Sequence, residues 1–373
     1  MPEHPYKRLG DRAFWSRGVA GTFDAAEVAD APNFRLGGED RFMSAGSCFA
    51  ANVRRYLEAW GLTYVLTEQA HPAWPEAGET NYYEAFSARY GNIYTARQMH
   101  QLLLRSLDRW RPAEEYWEQD GLFADPLLPG LRNRARSLGE LRALTAQHLS
   151  RVRLAVERAT VLVFTLGLTE AWRSRLDGTV FPAAPGTVAG EFDPDRHEFV
   201  NFSLDEVSAD LDGVVDTLRE INRDIRVVLT VSPVPLVATA SGRHVLVATS
   251  YSKSLLRLAA EQASRDNPAV SYFPAYEIAL GPQWRELPFE DDLRNVREPV
   301  VAAIMNGFWA TYFDRPLARH ETVVQTAVRF DRLVAAAVDA ECEEMMADAK
   351  LIAARRTDRP RAGRGGGQGA TSG

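Results

Sequence analysis

Short runs of β-branched and apolar residues alternate with segments of helical periodicity through most of this chain. The strand candidates are residues 41–44, 62–66, 160–165, 226–231 and 270–273. The helix candidates are residues 49–60, 95–107, 138–158, 204–222, 250–264 and 299–312. Strands that alternate with helices are typical of a parallel sheet covered on both faces. We therefore predict an α/β fold, a three-layer α/β/α sandwich around a mostly parallel sheet.

Two stretches interrupt this alternation. Residues 108–137 are rich in Trp, Pro and charge, and residues 173–202 carry repeated Gly and Pro turn signals. We expect both to be insertions over one rim of a domain that spans residues 13–313. After that domain the pattern predicts a helix over residues 321–354. Residues 357–373, which are rich in Arg and Gly and poor in apolar side chains, predict a disordered tail.

Charge and cysteine content exclude several classes of protein. The formal net charge is −7, which leaves no basic field to hold a polyanion, so nucleic acid is not the expected partner. The two cysteines, Cys48 and Cys342, form neither a disulfide framework nor a zinc pattern, and no phosphate-binding glycine loop occurs. No apolar run reaches the ~18 residues that a membrane span needs. We expect a cytoplasmic protein with no metal, cofactor or membrane span.

The stretch SAGSCFAA places two candidate nucleophiles, Ser47 and Cys48, between a predicted strand and a predicted helix. A hydroxyl at such a turn lies at the positive end of the helix, where free backbone N–H groups can stabilise an oxyanion. The alternative is that Ser47 only caps the helix. A thiol at a helix N-terminus has a lowered pKa and is a strong nucleophile, but Cys48 fits equally well as a small residue packed under the helix.

GSCFA, residues 46–50, resembles the signature of the GSCFA-domain family, which looks like a branch of the SGNH/GDSL hydrolase superfamily. Further segments resemble that family in the same order, over roughly residues 13–313. They are SARYGNIYTARQ (87–98), TLGLTEAW (165–172), DGTVFPAAPGTVAG (177–190), TVSPVPL (230–236), HVLVATSYSKSLLR (244–257) and YFPAYEI (272–278). The resemblance implies a flavodoxin-like sandwich and acyl-ester chemistry.

The resemblance also implies roles for single residues. Ser47 matches the nucleophile, and its own N–H contributes to the oxyanion hole together with that of Gly91, beside Asn92. The third block of the superfamily corresponds to Gly167, Thr169 and Glu170, where Thr169 stands in place of an oxyanion-binding Asn. The alternative for this block is structural: Gly167 ends a strand and Glu170 caps a following helix.

The last block of the superfamily is Asp-x-x-His, and here it corresponds to Asp292 and Asn295. Asn295 cannot accept a proton, so the usual base is missing. His244, which follows a strand and opens a helix on the rim, is the preferred replacement, with a water held by Asp292 as the alternative. Weaker candidates for the base are His71, His197 and a desolvated Lys253, although a Lys in a helical pattern is expected to be solvated.

We therefore predict an SGNH-like serine esterase or O-acyltransferase that acts on a small polar or carbohydrate-like acylated substrate. The alternative is a catalytically degenerate ligand-binding protein of the same fold, because Asn295 replaces the histidine. The predicted walls of the pocket are Tyr90, Tyr94, Arg97, Trp172, Tyr251 and Tyr276. The sequence alone does not distinguish hydrolysis from acyl transfer. It also does not determine the oligomeric state.

Overall fold

The computed structural model describes residues 4–21, 23–69, 85–128, 134–187 and 189–314, without the side chains of Cys48, Phe49 and Ala51. Its strands, in chain order, are β1 (Arg41–Gly46), β2 (Thr63–Tyr64), β3 (Trp117–Gln119), β4 (Leu122–Ala124), β5 (Val161–Leu166), β6 (Glu170–Ser174), β7 (Val180–Phe181), β8 (His197–Asn201), β9 (Arg226–Val231) and β10 (Val270–Tyr272).

The α-helices of the described residues are α1 (Trp15–Gly18), α2 (Cys48–Ala59), α3 (Ala96–Ser106), α4 (Leu138–Arg158), α5 (Leu204–Ile221), α6 (Val245–Asp266), α7 (Ala275–Leu280) and α8 (Glu298–Tyr312). Short 3-10 turns lie at Pro5–Arg8, Asp11–Ala13 and Ala25–Glu27. Several predicted boundaries shift by one or two residues, and two elements differ more visibly in extent. Helix α6 begins at Val245 rather than at residue 250, and β2 is limited to Thr63–Tyr64.

Five strands form a parallel sheet in the order β10-β9-β5-β1-β2. Side chains alternate between its faces, so Met43 and Leu162 pack with helices α3 to α6, whereas Phe42 and Val163 pack with α2, α7 and α8. This arrangement confirms the predicted three-layer sandwich. When these five strands are numbered 1 to 5 along the chain and read from the β2 edge, their order is 2-1-3-4-5, which is the flavodoxin-like arrangement.

In this order the chain leaves β1 toward one edge of the sheet and leaves β5 toward the other. The crevice between the carboxyl ends of these two strands is the switch point at which open α/β sheets bind their ligands. Gly46 at the end of β1 pairs with Thr165 of β5, so Ser47 and Gly167 follow two adjacent strands into that crevice. The topology alone therefore selects this place for a site.

The two stretches predicted as insertions form antiparallel structure. β3 and β4 make a hairpin that turns at Asp120 and Gly121, both with positive φ, while β7 and β8 flank β6 in a three-stranded sheet. Trp117 of the hairpin packs on Phe181 of β7, with ring centroids 5.3 Å apart. The predicted 321–354 helix and 357–373 tail lie outside the described residues.

Within the part of the chain that the structure describes, no helix is long and apolar enough to cross a membrane.

Candidate active site

The turn from β1 into α2 depends on Gly46. Its φ is +138°, and a Cβ there would lie 2.3 Å from the carbonyl oxygen of Thr165 on the neighbouring strand. A side chain is excluded both by the backbone conformation and by this contact. Glycine thus lets β1 end against β5 and turn at once into a helix, with Ser47 as the residue at the N-cap.

Ser47 holds the N-cap position but does not cap α2. Its hydroxyl makes no bond to the helix backbone, its side chain is buried, and Oγ has no hydrogen-bond partner among the described residues. Three other helices begin after a hydroxyl residue that does cap: Thr95 Oγ1, Ser137 Oγ and Ser203 Oγ each accept a backbone N–H three residues on. The interpretation of Ser47 as a simple cap is therefore wrong.

Two further buried hydroxyls without described partners lie on the adjoining strands. They are Thr165 Oγ1 at the end of β5 and Thr230 Oγ1 at the end of β9. The register pairs Gly46 with Thr165 and Thr165 with Thr230, so the three strand ends bring these groups side by side. Sequence reasoning missed both threonines. The available signal was a single Thr in each of two otherwise apolar strands, VLVFTL and RVVLTV.

The segment from Gly91 to Tyr94 is held between the ends of β1 and β5. Ile93 N–H donates to the Gly46 carbonyl at 2.8 Å, and the N–H groups of Gly167 and Leu168 donate to the Tyr94 carbonyl at 3.1 and 3.0 Å. Gly91 has a φ of +65°, which favours glycine. These contacts bring the segment with Gly91 and Asn92, and the third block at residues 167–170, to the Ser47 turn.

The side chain of Asn92 is engaged locally. It is buried, and its Nδ2 donates to the Tyr94 hydroxyl at 3.2 Å. Its backbone carbonyl accepts Gln98 Nε2 at 2.9 Å, which fixes the segment to the start of α3. The predicted contribution of Asn92 to an oxyanion hole stays a prediction.

Thr169 lies at a buried junction of three elements. Its N–H donates to Ser252 Oγ of α6 at 2.8 Å, and its hydroxyl donates to Asn201 Oδ1 of β8 at 2.7 Å. An oxyanion would have to compete with Asn201 for that hydrogen. The oxyanion role of Thr169 stays a prediction, and the contacts favour support of the β5–β6 turn.

The neighbouring Lys253 is buried, so the expectation that it is solvated is wrong. From α6 its ammonium reaches the end of β5, where Nζ donates to the Gly167 carbonyl at 2.6 Å. Together with Ser252 it ties the first turns of α6 to the loop that follows β5. The sequence signal was Ser252-Lys253-Ser254, in which the polar residues Ser252 and Lys253 face the sheet rather than water.

Glu170 begins β6, so the suggestion that it caps a helix is wrong, whereas Gly167 does follow the end of a buried strand. The Glu170 side chain is buried, and its Oε1 accepts a hydrogen bond from the Thr239 hydroxyl at 2.8 Å. Burial raises the pKa of the Glu170 carboxyl above its ordinary value, although the Thr239 hydroxyl and the charge of Arg243 partly offset this increase.

A cavity of about 340 Å³ opens beside this loop. It is enclosed by the antiparallel β6–β8 sheet, the loop after β9 and the start of α3. Of the six predicted wall residues, Tyr94 and Trp172 line it. Tyr90 is instead buried in the core and donates to the Ser44 carbonyl, and Arg97 is paired with Asp210. Tyr251 is exposed, and Tyr276 packs at the edge of the core.

The last predicted block forms a compact turn before α8. Asp292 accepts the N–H groups of Arg294 and Asn295, each at 2.9 Å, and Asn295 Nδ2 donates to Asp292 Oδ2 at 2.6 Å. Partial burial alone would raise the pKa of Asp292, but these hydrogen bonds and the charge of Arg294 outweigh it and lower the pKa. Asn295, the residue predicted to stand in place of a histidine, thus bonds to Asp292.

The histidine candidates differ in their surroundings. His244 is exposed at the N-cap of α6, where its Nδ1 accepts the N–H of Leu246 at 3.2 Å. His197 is buried and bonded on both sides, to Glu114 Oε1 at 2.9 Å and to the N–H of Asp193 at 3.1 Å. Those bonds indicate a structural role for His197. His71 lies outside the described residues.

Among the described residues no group of three or more His, Cys, Asp or Glu side chains is arranged to hold a metal ion. The side chain of Cys48 is outside the description, so neither its packing nor its role as a nucleophile is tested.

Comparison with known proteins agrees with the motifs. Residues 41–308, well over half of the chain, match the profile of the GSCFA family. A search of curated proteins and a search of solved structures each gave no match.

Proposed function

The chain belongs to the GSCFA family, and we propose that it is an SGNH-like serine esterase or O-acyltransferase for a small polar or carbohydrate-like acylated substrate. Ser47 is the proposed nucleophile. Its Oγ bonds to the carbonyl carbon of the ester, the bond to the leaving alcohol breaks, and the Ser47 proton ends on that alcohol. Water or a second alcohol then bonds to the acyl carbon, the bond from that carbon to Ser47 Oγ breaks, and the proton of the attacking hydroxyl ends on Oγ.

One observation carries this proposal: a buried Ser47 hydroxyl without a described partner at the switch point of the sheet. Leaving a buried hydroxyl unpaired costs about 1–3 kcal/mol, and groups of this kind call for an explanation. A substrate that binds in the crevice supplies one. The buried hydroxyls of Thr165 and Thr230, which also have no described partners, lie on the two adjoining strands near their carboxyl ends.

We assign the oxyanion to backbone donors. The N–H of Ser47 belongs to the first turn of α2, where helical N–H groups lack helical partners. The N–H of Gly91 is the second proposed donor, since the Gly91 segment is bonded to the Gly46 carbonyl through Ile93. Removing one such donor in a serine hydrolase typically costs about 10²–10³ in rate.

The first experiment is labelling with a fluorophosphonate probe, together with hydrolysis of short-chain esters. We expect wild type and Cys48→Ala to be labelled and active, and Ser47→Ala to lose labelling and at least about 10³-fold in rate. Labelling that survives Ser47→Ala but not Cys48→Ala would assign the nucleophile to Cys48. A wild type that neither reacts with the probe nor cleaves esters would contradict the proposal.

The dependence of rate on pH separates the two proposed proton acceptors. A base works only when it is unprotonated. A fall in rate on acidification that disappears in His244→Gln would assign the base to His244. With Asp292, whose pKa is lowered, the rate stays level until the solution is more acidic than about pH 4. His244→Gln and Asp292→Asn should each remove the matching response.

A second candidate function is a ligand-binding protein that has lost the catalytic base. The bond from Asn295 Nδ2 to Asp292 Oδ2 favours it, because an amide occupies the carboxylate that would orient a histidine. The variant Asn295→His distinguishes the two functions. A large gain in ester hydrolysis over an inactive wild type supports the binding protein, whereas an active wild type that gains nothing supports an enzyme with its base elsewhere.

A further inference from the structure

The 340 Å³ cavity beside the β5–β6 loop has an unusual combination of walls. Trp172, Phe181 and Phe199 contribute aromatic surface from the antiparallel sheet, and Leu236 and Val237 contribute aliphatic surface from the loop after β9. The volume falls within the range of about 300–1,000 Å³ that small-molecule sites occupy. Such walls bind an apolar body through surface burial.

Most of the polar groups at this cavity are already used by the protein. Gln98 donates to the Asn92 carbonyl and accepts the N–H of Tyr94, so its amide holds the backbone. The Thr95 hydroxyl caps α3, and the Thr239 hydroxyl donates to Glu170. At Glu170 the Thr239 hydroxyl bonds to Oε1, which leaves Oε2 as the carboxylate oxygen that a ligand can reach.

Glu170 is also the only charged side chain among the described residues that line the cavity. It is more than nine-tenths buried, at 8% exposure. Burial raises its pKa, which fits a carboxyl surrounded by apolar walls. A carboxylate in such a setting attracts hydrogen-bond donors strongly and repels anions.

We propose that this cavity binds an apolar aromatic or aliphatic group that ends in a hydrogen-bond donor, an alcohol or an ammonium, which donates to Glu170 Oε2. Anionic ligands of the same shape are excluded by charge. In the proposed enzyme the cavity holds the apolar part of the substrate, because Leu168 and Tyr94 line it and are bonded to each other at the Ser47 crevice. The binding itself does not depend on Ser47.

Three probes of matched shape test the proposal: 2-phenylethylamine, 2-phenylethanol and phenylacetate, measured by ligand-observed NMR titration. We expect the amine to bind at least about tenfold more tightly than phenylacetate, with the alcohol between or equal to the amine. Glu170→Gln should weaken the amine about tenfold or more and remove the discrimination. The matched control is Glu118→Gln, an exposed glutamate on β3, which should change nothing.

Two variants that fill the cavity complete the test. Ala184→Trp and Val237→Trp each place an indole ring among the residues that line the cavity. Both positions lie in loops, where a substitution is less of a risk to folding. Each should abolish binding of all three probes. Equal affinity for the three probes, no binding, or binding that survives a folded cavity-filling variant would overturn the proposal. Because the readout is binding, ester hydrolysis without discrimination contradicts only this proposal, and discrimination without hydrolysis contradicts only the proposed function.

Discussion

Helices α2 and α5 both have a serine at the N-cap position, but the two serine side chains make different contacts. Each follows a serine with an extended backbone, Ser47 at φ −75° and ψ −178°, and Ser203 at φ −75° and ψ 169°. Ser203 forms a capping box: its hydroxyl accepts the N–H of Glu206, and Glu206 Oε2 accepts the N–H of Ser203. Ser47 is buried and forms no cap.

The difference lies in the surroundings of the two serines. Ser203 is exposed and has a glutamate at the third helical position, so both orphan N–H groups find side-chain partners. At α2 the third position is Ala50, and the turn is buried against β5. Buried polar groups are normally paired, and proteins break that rule mainly at functional sites. The unpaired hydroxyl at α2 therefore supports the site proposed at the start of that helix, and α5 offers no such signal.

The largest expected effect comes from Gly46→Ala. The added Cβ meets the Thr165 carbonyl at 2.3 Å and the backbone is held at φ +138°, so we expect a destabilisation of about 3 kcal/mol or more, measured by urea unfolding. The matched control is Gly139→Ala in the first turn of α4, where the nearest atom is 3.9 Å away. It should be neutral or stabilising. If the two substitutions lower the free energy of unfolding equally, the turn at Gly46 does not specifically require glycine.

Next in size is Ser203→Ala. The variant loses the hydroxyl that accepts the Glu206 N–H and donates to Glu206 Oε2, so the free energy of unfolding should fall by about 1–2 kcal/mol. Fluorophosphonate labelling of Ser47 in the folded variant should be unchanged. A variant as stable as wild type would show that the capping box contributes little here.

Acidification should weaken α5 by a smaller amount. The Ser203 N–H lowers the pKa of Glu206 despite partial burial, and the Ser203 hydroxyl lowers it further. A carboxylate with a lowered pKa in the folded state contributes stability above its unfolded pKa, and this is lost as the pH falls through its folded pKa. We expect Glu206→Gln to lose that part of the acid response below about pH 4.5. An identical response in both proteins would contradict the assignment.

The fold followed from sequence because its signals are local. β9 was predicted at its observed limits and α4 likewise, since buried β-branched runs and capped periodic segments specify their own structure. The site followed only in part. Gly46 and Ser47 carry a motif, but Thr165, Thr230 and buried Lys253 become recognisable only when the register and the packing of α6 place them at the same edge. The strand register and the packing of α6 depend on residues far apart in the sequence, so no short segment of the chain predicts them.

The smallest expected effect is that of Ser47→Ala on stability, and it tests the comparison most directly. Replacing a serine at an N-cap by alanine typically costs about 1 kcal/mol, because a helical N–H loses its partner. Ser47 provides no such bond, and removing a buried unpaired hydroxyl also removes its desolvation cost. The variant should therefore unfold within about 0.5 kcal/mol of wild type while it loses labelling. If Ser47→Ala is instead destabilised as much as Ser203→Ala, the hydroxyl caps α2 in solution, and the contrast between the two helices no longer supports a site.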